Sequence, residues 1–284
     1  MPLAADTGRQ AAAGTVPDTD RTTPGAPGRE GRSMTIDQTT TVARDLTDRT
    51  VVVTGAAGGI GKEVVRRLHA AGAHVVAVDL REPGDVPEGV TTGTVDITDP
   101  ESVRAFADRV AAEHPGRLDL VNAAGIVEDD VAAAEMSAEQ FRGVLDVNLV
   151  GVFLTSQALH RVMAERGEAA IVSIASMSGN HVVNHPQKQV AYNVSKAGVT
   201  ALTKTLAVEW GPEGIRVNCV SPGYVDTPLL AKKHHQFDEW MRDIVPGRFA
   251  QPAEVAAAIH FLLSDAASYC HGTELLMDGG YSLR

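Results

Sequence analysis

The sequence predicts an α/β fold: a single-domain, doubly wound, seven-stranded parallel sheet with helices on both faces, over residues 46–284. Three observations carry this. Short apolar runs alternate with helical patterns, and each run ends in a polar or glycine-bearing loop, as strands buried on both faces require. A glycine-rich turn joins the first run to the first helix. A chain of 284 residues with 44% hydrophobic content has enough apolar surface for one sizeable core, and it shows neither an internal repeat nor a second domain.

Residues 1–45 stand apart. The stretch 2–41 is rich in Ala, Thr, Gly, Asp and Pro without apolar periodicity, so it buries too little to offset its ordering entropy and is expected to be a disordered extension. It lacks the basic start and apolar run of a secretory signal, and Asp6, Asp18, Asp20 and Glu30 fit an acid-poor transit peptide badly. Met34 is an alternative start; an intact mass of the native protein that includes residues 1–33 would exclude it.

The organised part opens with Val51, Val52 and Val53, a β-branched run that reads as a buried strand. It leads into Gly55, Gly58, Gly59, Ile60 and Gly61, then a helical pattern through Val64, Val65, Leu68 and Ala71 closed by Gly72. Glycines between a strand and a helix N-terminus let backbone approach a pyrophosphate, whose charge is met by free amides and the helix dipole. The spacing, Gly55-x-x-x-Gly59-x-Gly61, is not the G-x-G-x-x-G of many dinucleotide sites. The second strand, 74–78, ends in Asp79, about 20 residues beyond the glycines, where a carboxylate accepts from adenosine ribose hydroxyls and repels a 2′-phosphate. That favours NAD over NADP, although Arg81, two residues on, is placed to hold such a phosphate.

Residues 93–95 form the third strand and lead into Asp96 and Ile97, followed by a helix over 99–114. The fourth strand, 118–121, ends in Asn122-Ala123-Ala124-Gly125. One long amphipathic helix is expected over 138–166 with Asn148 in its interior, where asparagine competes for backbone hydrogen bonds and reads as a solvent-facing or packing residue. The fifth strand, 170–175, ends at Ser176; the sixth is 216–220 and the seventh 274–277, with an amphipathic helix over 251–263 between them. Between the fifth and sixth lie Tyr192 and Lys196, four residues apart and therefore on one helix face. An ammonium one turn from a phenol favours the phenolate, which can take a proton from an alcohol as hydride leaves carbon.

Taken in order, the glycine turn, Asn122 to Gly125, Asn148, Ser176, Tyr192-x-x-x-Lys196 and Pro222-Gly223 resemble the short-chain dehydrogenase/reductase family over about residues 46–284. The resemblance implies a Rossmann-type fold with Asn148, Ser176, Tyr192 and Lys196 as catalytic residues. Tyr192 would be the general acid/base, Lys196 would lower its pKa and hold the nicotinamide ribose, and Ser176 would hydrogen-bond the substrate oxygen. Asn148 would order a water that joins Lys196 to a proton relay. Ser173 and Ser178 compete for the serine's place, and the Ile-Ala-Ser-Met-Ser-Gly context selects Ser176. The cofactor contacts implied are Gly55, Gly58, Gly59, Ile60, Gly61 and Asp79, with Asp96 and Ile97 at the adenine. Asn122, Ala124 and Gly125 would line the ribose path, Tyr192 and Lys196 the nicotinamide ribose, and Pro222, Gly223, Val225 and Thr227 the carboxamide. The expected cofactor is NAD, with NADP second, and no metal.

The segment 176–192, with His181, Asn184, Gln187 and Gln189, together with Asp278-Gly279-Gly280-Tyr281, is similar to family members acting on polyols and ketoses. The implied reaction is reversible oxidation of a sugar alcohol's secondary hydroxyl. A 3-oxoacyl-(acyl-carrier-protein) reductase, another alcohol or steroid dehydrogenase, and a non-catalytic NAD-binding regulator are the alternatives. Residues 226–246, carrying Lys232, Lys233, His234, His235 and Trp240, read as a lid, the two histidines as a solvated face. A formal charge of −11 argues against a nucleic-acid surface and against docking of an acidic carrier protein. No apolar run approaches the roughly 20 residues of a membrane span. Cys219 and Cys270 form no disulfide or metal pattern, read as buried inert thiols, and fit a cytoplasmic setting. The resemblance further implies a homo-oligomer, a tetramer.

Overall fold

The computed structural model describes residues 45–231 and 233–284; the expectations for residues 1–44 and for Lys232 lie outside them. The strands are β1 (Arg49–Thr54), β2 (His74–Asp79), β3 (Thr91–Thr94), β4 (Arg117–Asn122), β5 (Ala169–Ile174), β6 (Ile215–Pro222) and β7 (Glu274–Met277). The α-helices are α1 (Gly59–Ala70), α2 (Pro100–Glu113), α3 (Ala138–Leu145), α4 (Gly151–Arg166), α5 (Met177–Asn180), α6 (Val190–Trp210), α7 (Pro228–Ala231), α8 (Phe237–Asp243) and α9 (Pro252–Leu263). All seven strands are parallel in the order β3-β2-β1-β4-β5-β6-β7, the doubly wound sheet that the sequence predicts.

Two apolar layers clamp the sheet. Val64, Val65 and Leu68 of α1 pack with Val255, Ile259 and Leu263 of α9 against Val51 and Val53. On the opposite face Val103 and Phe106 of α2, Leu159 and Met163 of α4, and Leu206 and Trp210 of α6 pack against Val52 and Leu120. The split follows from the strand period of two, which sends successive valines of β1 to opposite faces. Arg49 and Arg216, beneath β1 and β6, donate to the last carbonyls of α9, where the dipole is negative: Arg49 to Leu263, Arg216 to Leu262 and Leu263. Arg49 also pairs with the fully buried Asp119 at 3.1 Å, whose other oxygen accepts from the Ala170 amide.

Element bounds shift from expectation by a residue or two, as in the fifth strand (169–174 rather than 170–175) and the sixth (215–222 rather than 216–220). The third strand lies at 91–94 rather than 93–95; Val95 donates to the Asp79 carbonyl but lies just past the strand. The single helix expected over 138–166 is interrupted, with α3 and α4 joined by a π-helical turn, Asp146–Val150, that holds Asn148.

Candidate active site

The register of the sheet brings the site together. Thr54 pairs with Val78 on one side and Asn122 on the other, so Gly55, Asp79 and Ala123 emerge side by side at the carboxyl edge. This is where the connections diverge, to β2 on one side and β4 on the other, and such switch points carry the ligand crevice of open α/β sheets. The glycine turn is tightly interlocked. Gly55 has φ +66°, and a Cβ on it would stand 2.5 Å from Ala124 backbone; a Cβ on Gly61 would stand 2.1 Å from the Gly55 carbonyl oxygen. At the start of α1, Gly58 provides no side-chain cap and the first turn holds no acid, so its amides and positive dipole end face outward uncompensated. Asp79 accepts from the Ala57 amide at 3.1 Å and from Leu80 at 2.8 Å, which binds the acid to the turn. Arg81 is exposed.

Tyr192 stands in the first turn of α6 and Ser176 at the start of α5, and both line one cavity of about 160 Å³ beside the glycine turn. Ile60, Pro222, Gly223, Val225 and Thr227 line it too. The competing serines are accounted for: Ser173 accepts from Asn122 inside the fold, and Ser178 is buried 3.0 Å from the Ser176 hydroxyl. Lys196 is buried one turn below Tyr192, its ammonium 5.7 Å from the phenol ring centre and donating to the Ile174 carbonyl at 2.7 Å. Burial pulls its pKa down to about 8. In the protein by itself the Tyr192 phenol lies above its ordinary pKa. Burial pushes the phenol up; the Ser176 hydroxyl opposes this, while the Glu128 carboxylate adds to it.

Asn148 is fully buried, neither solvent-facing nor mere filler. Its amide accepts from the Ile126 N–H and donates to the Ile126 carbonyl, both at 2.8 Å, and donates to Ser195 at 3.0 Å, joining the loop after β4 to α6. Asn148 Oδ1 and Lys196 Nζ both lie 3.4 Å from where a Gly125 Cβ would be, so the absence of a side chain there leaves the two groups an open common space. Asn122 does not line a ligand path with its side chain. It is buried and donates to Ser156 and Ser173, a strut between β4, α4 and β5. Asp96 accepts from the Thr98 amide and hydroxyl, and Ile97 packs over Gly151.

The segment expected as a lid folds as α7, a short turn and α8, and its Trp240 forms a buried wall of the cavity. The indole is 1% exposed and stacks on Tyr224 at 4.2 Å. Gln187 ties the wall to the loop before α6, donating to the Tyr224 hydroxyl and accepting from Trp240 Nε1. Asn184, Gln187 and Gln189 line the cavity, whereas His181 does not and pairs instead with Glu274 at 3.1 Å. His234 and His235 are exposed. Among the described residues no group of three or more His, Cys, Asp or Glu is placed to hold a metal, and no helix is long and apolar enough to cross a membrane. Cys219 is buried, its thiol pushed up to about 11 by burial; Cys270 is half-buried, and both are free.

Sequence reasoning passed over Glu128, whose carboxylate accepts from the Ala191 and Tyr192 amides at 2.9 and 3.1 Å. Only a contact 63 residues away in sequence reveals it, and no local pattern announces such a pairing.

A family model described as enoyl-(acyl carrier protein) reductase matches residues 55–282. D-threitol dehydrogenase of Mycolicibacterium smegmatis is 40% identical over 84% of this chain and 95% of its own. The L-tagatose-forming galactitol 2-dehydrogenase of Cereibacter sphaeroides is 41% identical over 81% of this chain and 94% of its own. Cis-4-hydroxycyclohexanecarboxylate dehydrogenase of Sinomonas cyclohexanicum is 42% identical over 83% and 97%.

Proposed function

The chain belongs to the short-chain dehydrogenase/reductase family, and from that premise we propose that it interconverts a secondary alcohol of a polyol and the corresponding ketose, with NAD as the hydride carrier. The observation that carries this reading is the convergence of the Ser176 and Tyr192 hydroxyls on one cavity that opens beside the glycine turn. The residues present fit a nicotinamide dinucleotide: a side-chain-free turn at Gly58, Gly59 and Gly61 beside the cavity, an uncapped α1 N-terminus for the pyrophosphate, and Asp79 for the adenosine ribose. Asp79 supports NAD over NADP, since a carboxylate held at that turn repels a 2′-phosphate.

Within the cavity Ser176 donates to the substrate oxygen and Tyr192 takes the alcohol proton, or returns it in the ketose direction. Lys196, still an ammonium below its pKa of about 8, stabilises the phenolate that forms. The proton leaves through a water held beside Gly125, between Lys196 and Asn148. Asn184 supplies a hydroxyl acceptor: its Nδ2 donates to Gln189 and Asn193, and its Oδ1 is buried without a partner. A buried amide oxygen left unpaired is costly, and a polyol hydroxyl would satisfy it.

The hydroxycyclohexanecarboxylate relative suggests a ring alcohol as a second reading, and the apolar wall of Leu229, Leu230 and Trp240 favours it. A substrate carboxylate would need a free cation, however, and Lys233 in that wall is held by Asp130 at 3.0 Å. The formal net charge of −11 likewise disfavours docking of an acidic carrier protein. The cytoplasm suits two free thiols. A homo-oligomer, the tetramer that the family resemblance implies, would cover Phe153 of α4 and Val194 and Val208 of α6, which are exposed. The deciding experiment is a screen of four- to six-carbon polyols and of the ring acid with NAD and NADP, read by reduced-nicotinamide absorbance. Turnover on polyols with NAD supports the proposal; turnover confined to the ring acid or to NADP overturns it.

A further inference from the structure

We propose that Glu128 is a positioning residue for Tyr192, holding the first turn of the catalytic helix in place from the loop after β4. The inference rests on the dehydrogenase reading of the site.

A helix N-terminus leaves amides without intrahelical partners, and a side chain near the start of the helix ordinarily satisfies them. Here the residue before α6 is Gln189, and its side chain makes no such bond. The acceptor comes instead from the loop after β4. Glu128 Oε1 accepts from Ala191 at 2.9 Å and Tyr192 at 3.1 Å, and Oε2 also reaches Tyr192 at 3.2 Å. Two residues on, Asp130 accepts from the Lys188 amide at 3.3 Å and from Lys233 of the wall segment at 3.0 Å. One acidic loop thus grips the chain before α6, the first turn of α6 and the segment that closes the cavity. Because the bonded amide is that of Tyr192 itself, small movements of Glu128 become movements of the phenol.

The second consequence is electrostatic. The charged groups around the phenol are the Lys196 ammonium on its own helix and the Glu128 carboxylate from the facing loop, while Asp130, farther along that loop, is partnered by Lys233. A carboxylate near the phenol favours the protonated form, so Glu128 raises the phenol's proton affinity while fixing its place. Position and charge separate experimentally. Glu128→Gln keeps an acceptor oxygen and removes the charge; Glu128→Ala removes both.

With the polyol that the screen identifies, the rising limb of the kcat/KM pH profile for alcohol oxidation is expected to move to lower pH in Glu128→Gln, with kcat on the plateau close to wild type. In Glu128→Ala, kcat is expected to fall about tenfold or more with KM changed little, because sub-ångström misplacement of a reacting group is costly. Hydrogen exchange at the Ala191 and Tyr192 amides is expected to be faster in Glu128→Ala than in Glu128→Gln. An unmoved pH profile in Glu128→Gln, or unchanged kcat in Glu128→Ala, overturns the proposal. If the wild-type protein oxidises no alcohol, the dehydrogenase reading fails instead. Amide exchange then tests Glu128 alone, and unchanged protection in Glu128→Ala overturns its role.

Discussion

Burial acts on Tyr192 and Lys196 in opposite directions, pushing the phenol up and pulling the ammonium down. Spacing shows that two side chains share a helix face; it does not show that one amine points into the fold toward the Ile174 carbonyl. This has a measurable consequence for stability. The folded pKa of Lys196 is about 8 against an ordinary 10.5. Between those values the unfolded chain still holds a proton that the native protein has released, so native stability rises with pH across the window. Relative to Lys196→Met, which has nothing to titrate there, the wild-type protein is expected to gain up to about 3 kcal/mol from the lower to the upper end. Urea denaturation of both proteins on either side of the window measures it, and a constant difference would refute the shift. For the reaction itself, Tyr192→Phe is expected to lower kcat by about 10²–10⁴. Its Kd for NAD, read by fluorescence titration, should stay near the wild-type value.

At the level of elements, strand identity was legible because β-branched runs such as Val51 to Val53 have no other economical use in a chain of this composition. The π turn was not. Its five residues differ from an α-helix only in hydrogen-bond register, and no local propensity encodes that. What maintains it is tertiary: the Asn148 amide satisfies both backbone groups of Ile126 and one of its protons reaches Ser195. Asn148→Ala should leave those partners to water or to nothing, costing about 1–3 kcal/mol in urea unfolding with a fall in kcat beyond any change in KM. A loss of stability without a kinetic defect would separate the turn from the chemistry. In the glycine turn, by contrast, sterics alone demand glycine at Gly55 and Gly61. Gly61→Ala would force a Cβ against the Gly55 carbonyl oxygen. It is expected to weaken NAD binding tenfold or more, about 1.4 kcal/mol, measured by calorimetric titration.

For the molecule as a whole, the sheet order positions the chemistry but leaves some apolar surface unexplained. The faces of α4 and α6 that turn toward the sheet bury Leu159, Met163, Leu206 and Trp210, and His160 of α4 stacks 4.5 Å from Trp210 of α6, so the two helices lie side by side. Their outward faces carry Val150 just before α4, Phe153 on α4, and Val194 and Val208 on α6; Val208 is 78% exposed. Single apolar residues on a surface need no explanation, but apolar side chains on the outward faces of two adjacent helices could meet themselves across a two-fold axis in an isologous contact. The sequence could not show this, because outward apolar positions on α6 interrupt an amphipathic pattern that a single chain would have kept polar. Each α6 also carries Tyr192 in its first turn, so such a contact would brace the catalytic helix from outside while Glu128 holds its end from within. A charge placed at Val208 would be buried unpaired if two copies met there. Val208→Glu is therefore expected to lower the sedimenting mass toward the 29.9 kDa of one chain, with a loss of turnover that tracks dissociation. A wild-type protein that sediments as a single chain, or a Val208→Glu variant that keeps its assembly, would show that these helices face solvent and that α6 is stabilised by its own subunit alone.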